Sequence, residues 1–264
     1  MSEEQLDPRD FGARFGALLA VAIVVAGAVI GAAIYFRPPP PETDDLSATE
    51  SAEVQTMIKE YIGEHPEIVE KGLKKLAENR RSAEAEKLKL NIRALGKELN
   101  HDPDTPVANP DGTVTLVEFF DYECPYCKGL APGLHDLIDK DKSVRMVFKD
   151  FPILTPVSQF AARAALASRK QDKYLPFHFA MMGQRGQMNQ RMVLAIASEV
   201  GIDLEQLKAD MSDPAIDEII KRNKRLAEGL GIEGTPAFVI GETLIPGAAD
   251  MDYIKKTIKK ERGS

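Results

Sequence analysis

Cysteine is scarce in this chain of 264 residues: Cys124 and Cys127 are its only two. A stabilising disulfide framework is therefore excluded, because both thiols sit in one short motif. The same count argues against zinc, which takes four ligands in a closed site. The four histidines, His65, His101, His135 and His178, share no ligand or triad spacing, so surface or packing roles are expected of them. Positive charge is also in short supply. Lysine and arginine number 34 against 41 aspartates and glutamates, a net charge of −7 with no basic stripe to offset it, so no nucleic acid partner is expected.

What is present gathers around Glu118-Phe119-Phe120-Asp121-Tyr122-Glu123-Cys124-Pro125-Tyr126-Cys127. Residues Thr113 to Phe120 are rich in β-branched and aromatic side chains, the mark of a buried strand, and Lys128 to Lys140 can continue as a helix. Pro125 falls at the first helical position, where its missing N–H costs nothing. Cys124 is then expected at a helix N-terminus, where free N–H groups and the macrodipole favour a thiolate. An exposed, low-pKa cysteine with a resolving partner one turn behind it is the arrangement that thiol–disulfide exchange needs. A purely structural disulfide fits less well, since so short a loop constrains the unfolded chain little. Two soft thiolates would also suit copper(I), which keeps a binding module open as an alternative.

Phe15 to Phe36 is an uncharged run of the length that crosses a bilayer, flanked by Arg14 and Arg37. Its small-residue pairs lie inside the run, which favours an uncleaved anchor over a cleaved signal. Arg9 and Arg14 precede it while Glu42, Asp44 and Asp45 follow Arg37, so residues 1–14 read as a cytoplasmic tail and the remainder as external. Residues 37–51 carry four prolines from Pro38 and then turn acidic, a semi-rigid linker. Order is expected to resume at Val54. Val54, Met57, Ile58, Tyr61 and Ile62 follow one helical face, and Ile68, Val69, Leu73 and Leu76 repeat it after a break at His65-Pro66. A charge-rich helix then continues to about Leu99 with Leu88, Ile92, Leu95 and Leu99 on one side. These stripes either pack on the main domain or pair with copies of themselves, and residues 52–105 are read as a helical oligomerisation region.

Asn109-Pro110-Asp111-Gly112 marks a turn before the cysteine strand. Ser143 to Lys149 reads as a second strand parallel to the first across the helix. Residues 157–230 are helix after helix, with a capping box at Asp203/Gln206 and an N-cap at Asp213-Pro214. A hairpin over 237–245 with a Gly241-Glu242 turn and a last helix from about Asp250 complete the chain.

With strand, CPYC, helix, strand, helical block, Thr235-Pro236, hairpin and final helix in this order, residues 106–264 resemble a DsbA-family thioredoxin-fold domain. The stretches 118–128, 151–167 and 234–248 carry the resemblance. Residues 52–99 resemble, more weakly, the N-terminal extension of ScsC-type members, which oligomerises them. The fold implied is α/β: a thioredoxin fold with an inserted helical domain, preceded by a transmembrane helix and a helical extension. Cys124 matches the nucleophile and Cys127 the resolving cysteine. Pro236 matches a proline in a cis bond facing the disulfide, and Thr235 the residue that helps choose partners. Pro125 and Tyr126 fall among the substrate-binding positions. Glu118 lies where the family keeps a buried acid, and Lys149 where a lysine can pair with it. Strand parity agrees on burial, because Val114, Leu116, Glu118 and Phe120 share a face. The resemblance implies a thiol–disulfide oxidoreductase, isomerase ahead of oxidase, with no cofactor beyond the Cys124–Cys127 disulfide. It would be anchored in a bacterial inner membrane and face the periplasm. Its partners would be cysteine-containing exported proteins, a membrane redox protein and copies of itself, most simply as a trimer.

Overall fold

The computed structural model describes residues 47–263, so the span expected over 15–36 and residues 37–46 of the expected linker lie outside the described residues. Among the described residues no helix is long and apolar enough to cross a membrane. The chain divides into two compact units between Leu73 and Lys74.

The first unit holds helix α1 (Ala48–Glu64) and the start of α2 (Pro66–Ala94). Helix begins before Val54 and inside the expected linker, because Ser47 and Glu50 form a capping box just after the acidic stretch. The expected break at His65-Pro66 is present: His65 caps α1, and Pro66 opens α2 where it needs no donor. Met57, Ile58, Tyr61, Ile62, Ile68, Val69 and Leu73 are all exposed, and α1 has no buried residue.

The second unit is built on a five-stranded sheet in the order β1-β3-β2-β4-β5. The strands are β1 (Val107–Ala108), β2 (Val114–Phe120), β3 (Val144–Asp150), β4 (Ala237–Ile240) and β5 (Thr243–Pro246). Of the paired strands, β2 and β3 run parallel, joined through helix α4 (Pro125–Lys140), so the cysteine motif opens a βαβ unit. Ahead of β2 comes the turn at Asn109–Gly112, where Asn109 takes a left-handed φ of 49° and donates to Ile138 O and Val144 O. Gly112 is required there, since a Cβ would strike the Val144–Arg145 backbone. The β4–β5 hairpin turns on Gly241 at φ 55°.

Helix α3 (Gly96–Asn100) follows α2 after a bend at Leu95. The helical block between β3 and β4 comprises α5 (Pro156–Ala167), α6 (Tyr174–Gly183), α7 (Gln190–Glu199), α8 (Leu204–Asp210) and α9 (Pro214–Gly229), and α10 (Met251–Arg262) ends the chain. Asp203 caps α8 by accepting from Glu205 N and Gln206 N, but its own N–H goes to Gln171 Oε1 at 2.8 Å. The reciprocal half of the expected capping box is thus supplied by Gln171, which arrives from a segment distant in sequence.

The two sheet faces have separate cores. Leu116, Phe120, Met146, Phe148 and Phe238 pack with α4, α10 and the helical block. Val117, Phe119, Val147 and Val239 pack with Leu226 and Leu230 at the end of α9 and with Ile92 and Leu99 from α2 and α3. Leu88 and Leu95 border that second core, so the stripe from Leu88 to Leu99 is spent on the domain itself. The earlier stripe, Met57 to Leu73, stays exposed.

Candidate active site

Backbone geometry puts the two thiols where a helix begins. Cys124 is the N-cap of α4 with extended backbone (φ −73°, ψ 115°), Pro125 takes the first helical position, and Cys127 follows within the first turn. Both cysteines are free thiols. Cys124 Sγ donates to Thr235 O at 3.2 Å, and the Thr235–Pro236 bond beside it is cis. The Cys124 thiol is pushed down from its usual range to about 5. The Cys127 thiol contributes most, followed by the Thr235 side chain and the Cys127 and Tyr126 N–H groups, all working against burial. Cys127 moves the opposite way, far up, because its proton is held on Cys124 and because it is fully buried near Glu118. The pair is therefore divided into an attacking thiolate and a protonated reserve.

Exposure differs from the sequence expectation. Cys124 retains only 3% of its surface, while its neighbours Pro125 and Tyr126 are exposed, Tyr126 by 66%. The Thr235–Pro236 loop lies against the sulfur, so attack is restricted to a narrow approach. Ile153 and Leu154 add exposed apolar surface. Their N–H groups donate to Asp121 Oδ2 at 2.8 and 3.0 Å, while Asp121 Oδ1 accepts from Glu123 N at 2.8 Å. One buried carboxylate thus fastens the cysteine loop to the loop after β3. Glu123 is bound in turn, accepting from Met188 N at 3.1 Å and lying 3.7 Å from Lys128 Nζ.

Glu118 lies behind the cysteines on the face shared with Phe120, 2% exposed. Its carboxyl is raised to about 8, first by burial, then by the charge on Cys124 and by Asp150. Lys149 does not pair with it. The register sets Glu118 opposite Phe148 and Phe119 opposite Lys149, so alternation sends Lys149 to the other face of the sheet. There its Nζ donates to Glu98 O and Thr105 Oγ1, both at 2.8 Å, and lies 3.5 Å from Asp102 Oδ2. Asp102 is shared with Arg222 through two hydrogen bonds of 2.9 and 3.0 Å. Burial lowers Lys149 to about 8, with Asp102 opposing, so at neutral pH it is a charged structural clamp.

The acid that does share Glu118's face is Asp150, opposite Phe120 at the end of β3. It is buried and raised to about 8, chiefly by desolvation, with the Tyr174 hydroxyl opposing; that hydroxyl donates to Oδ2 at 3.1 Å. Tyr122 and His178 lie in the same core, Tyr122 Oη 3.0 Å from His178 Nδ1. Burial, helped by His135, drops His178 to about 3 and keeps it neutral. Among the described residues no group of three or more His, Cys, Asp or Glu is placed to hold a metal.

Residues 115–259 match the DsbA-like thioredoxin domain. The chain belongs to that family. Relatives named for thiol–disulfide exchange and disulfide bond formation make it a family of thiol–disulfide oxidoreductases. The DsbA-like domain is similar to a thioredoxin-like oxidoreductase from Silicibacter pomeroyi, at 46% identity over 64% of this chain and 98% of that one, TM-score 0.62. It is similar to the thiol-disulfide exchange protein alpha-DsbA2 from Wolbachia pipientis, at 30% identity over 67% and 97%, TM-score 0.63. A linker-deletion mutant of ScsC from Proteus mirabilis matches more of the chain, 84% of it and 99% of ScsC, at 26% identity and TM-score 0.64. Among curated relatives, an Na(+)/H(+) antiporter NhaA 3 from Salinispora tropica is 29% identical over 143 residues, 53% of this chain and 22% of the antiporter. The chain thus spans about a fifth of that relative's length.

Proposed function

We propose that this DsbA-like domain catalyses thiol–disulfide exchange on cysteines of exported proteins through a mixed disulfide at Cys124, which Cys127 resolves. The observation that carries the reading is the division of the pair: a depressed Cys124 thiol at the N-terminus of α4, beneath Thr235 O, in front of a buried Cys127 whose proton is tightly held. Pro125, Tyr126, Thr235 and Pro236 frame the approach that a client segment would take, and Glu118 serves Cys127 as proton acceptor and donor. The site needs no cofactor beyond the cysteine pair. Trapping tests the assignment. A Cys127→Ser variant should accumulate a Cys124-linked mixed disulfide with a model client, and Cys124→Ser should form none; exchange by Cys124→Ser at the parent's rate would overturn it.

The uncharged run at 15–36 supports an inner-membrane anchor, with the catalytic domain in the periplasm and a membrane protein to reset its redox state. Within the proposed activity, isomerase is placed ahead of oxidase. Seven large apolar side chains between Met57 and Leu73 stand exposed, more than an isolated helical segment leaves to water, which supports self-association, and the resemblance of residues 52–99 to the ScsC-type extension makes the expected form a trimer. Several active sites around one client suit reshuffling. Light scattering on residues 38–264 is expected to give a trimer, and Ile58→Asp with Leu73→Asp a monomer that still exchanges a model disulfide but no longer reshuffles scrambled clients. A monomeric parent would move the reading to oxidase, which the depressed Cys124 thiol supports because it stabilises the reduced form.

A further inference from the structure

The exchange step makes a demand that the cysteines cannot meet themselves. When a client thiolate attacks Cys124 Sγ in the oxidised protein, a client–Cys124 bond forms, the Cys124–Cys127 bond breaks and the electron pair goes to Cys127 Sγ. The client sulfur is oxidised and Cys127 reduced, leaving a buried thiolate that must take a proton. Glu118, 2% exposed in the core behind the cysteines, acts on this sulfur and can donate one. Having done so, it is a buried carboxylate that must itself be reprotonated.

The sheet offers a route. Asp150 lies diagonally from Glu118 on the same face of adjacent strands. Its Oδ2 accepts from Tyr174 Oη at 3.1 Å, whereas its buried Oδ1 has no hydrogen-bond partner among the described residues. Tyr174 in turn lines a cavity of about 710 Å³, bordered by Thr105, Arg169 and Lys170. A carboxyl with one free buried oxygen, set between an acid that must be recharged and a tyrosine that lines a cavity, is placed as a relay.

Resting on the thiol–disulfide reading, we propose that Asp150 is a positioning residue for proton transfer, which with Tyr174 exchanges protons between Glu118 and the Tyr174 cavity. Other groups around Asp150 are consistent with this. From β2 and the loop that follows come Glu118, Asp121 and Tyr122. From the start of α4 comes the Cys124 thiolate, acting on Glu118. The cation whose field reaches Asp150 is Arg169, whose guanidinium is engaged by Asp104 O and Pro103 O. His178, from α6, is neutral, and from α9 Asn223 donates to the Asp150 main-chain oxygen, leaving the carboxyl untouched. Among the described residues Asp150 thus has no ion-pair partner to fix it as a permanent carboxylate, in contrast to Asp102.

The test is a double-mutant cycle in the full chain, following the rate at which a model thiol opens the Cys124–Cys127 disulfide as a function of pH. Asp150→Asn is expected to slow the step about tenfold at neutral pH, less than the roughly 100-fold or more of a direct acid–base group, and to move the profile toward acid because a like charge near Glu118 is gone. Introduced into Glu118→Gln, it should change nothing further, since it acts through Glu118. Tyr174→Phe keeps both carboxyls and should slow the step in the parent background but not with Glu118→Gln. Undiminished effects of Asp150→Asn and Tyr174→Phe in the Glu118→Gln background, or an unmoved pH profile in both, would overturn the relay. If Asp150→Asn does not fold, the Tyr174→Phe cycle decides by the same rule. Failure of the underlying reading shows separately, as a Cys127→Ser variant that accumulates no Cys124-linked mixed disulfide with a model client.

Discussion

The two faces of the central sheet each bury ionisable groups, and they treat them in opposite ways. Behind the cysteines, Glu118 has no hydrogen-bond or ion-pair partner among the described residues, and Asp150 is half satisfied. On the other face Lys149, equally buried, has a carbonyl, a hydroxyl and a carboxylate around its ammonium. Removing a charge from water costs several kcal/mol unless partners replace the lost hydration. Lys149 is compensated and so fixes the 98–105 segment to the sheet. Glu118 and Asp150 are left uncompensated and can change protonation near neutral pH, which is the property that proton transfer uses.

That contrast can be broken most forcefully at the compensated face. Lys149→Met should destabilise the domain by about 3 kcal/mol, because it strands Asp102 with Arg222 alone and frees Glu98 O and Thr105 Oγ1. Chemical denaturation reads this loss, and the pH profile of exchange should keep its shape; a profile displaced as far as that of Glu118→Gln would erase the distinction between the faces. The next effect is on the cysteine side. Glu118 has a folded pKa raised from 4.5 to about 8, so its ionisation favours the unfolded chain and its contribution to stability is lost as pH rises from about 4.5 through about 8. Glu118→Gln should therefore gain stability relative to the parent by up to about 1.4 kcal/mol per pH unit across that window, and be level with it below. A pH-independent difference between the two denaturation series would show that Glu118 is not titrating there.

Smaller effects sharpen the picture at the sulfur. With Cys124 depressed from 9 to about 5, thiolate is stabilised in the folded reduced chain, a contribution fully present above about pH 9 and lost as pH falls through 5. Alkylation of Cys124 should be half-maximal in rate near pH 5, with Cys127 unlabelled. Thr235→Val, which removes the hydroxyl near the sulfur while keeping the contact to Thr235 O, should raise that midpoint by a fraction of a unit. A midpoint that does not move would assign the depression wholly to Cys127 and the α4 N–H groups.

Much of this is readable from the chain. Pro125 after Cys124 fixes where α4 starts, alternation along Val114 to Phe120 puts Glu118 indoors, and His65-Pro66 marks a helix break, because each signal is local. Lys149 departs from expectation for a non-local reason: whether it meets Glu118 depends on the register of β2 against β3, and a shift of one residue sends a side chain to the opposite face. The same one-residue ambiguity hides Asp150, which stands beside Lys149 in sequence and takes the place expected of it. Counting from the turn at Asn109–Gly112 raises the question without answering it. Tyr174 and His178 reach the site from the helical block, and helix docking leaves no periodic trace that ties them to a strand. The fate of the two apolar stripes is equally hidden, since Leu88 to Leu99 and Met57 to Leu73 have the same pattern, and only the fold shows which one finds a core.

Asp121 has a consequence for the speed of turnover. Its two oxygens accept from three N–H groups of the Glu123 and Ile153-Leu154 segments, all uncharged and none of them bonded to a sulfur. The frame around the cysteines is thus anchored by bonds that a change of sulfur charge neither makes nor breaks. Reorganisation in each half-reaction is then confined to the two sulfurs and a proton, and the oxidised and reduced domains should superimpose closely, with backbone amide resonances of Ile153 and Leu154 nearly unmoved between them.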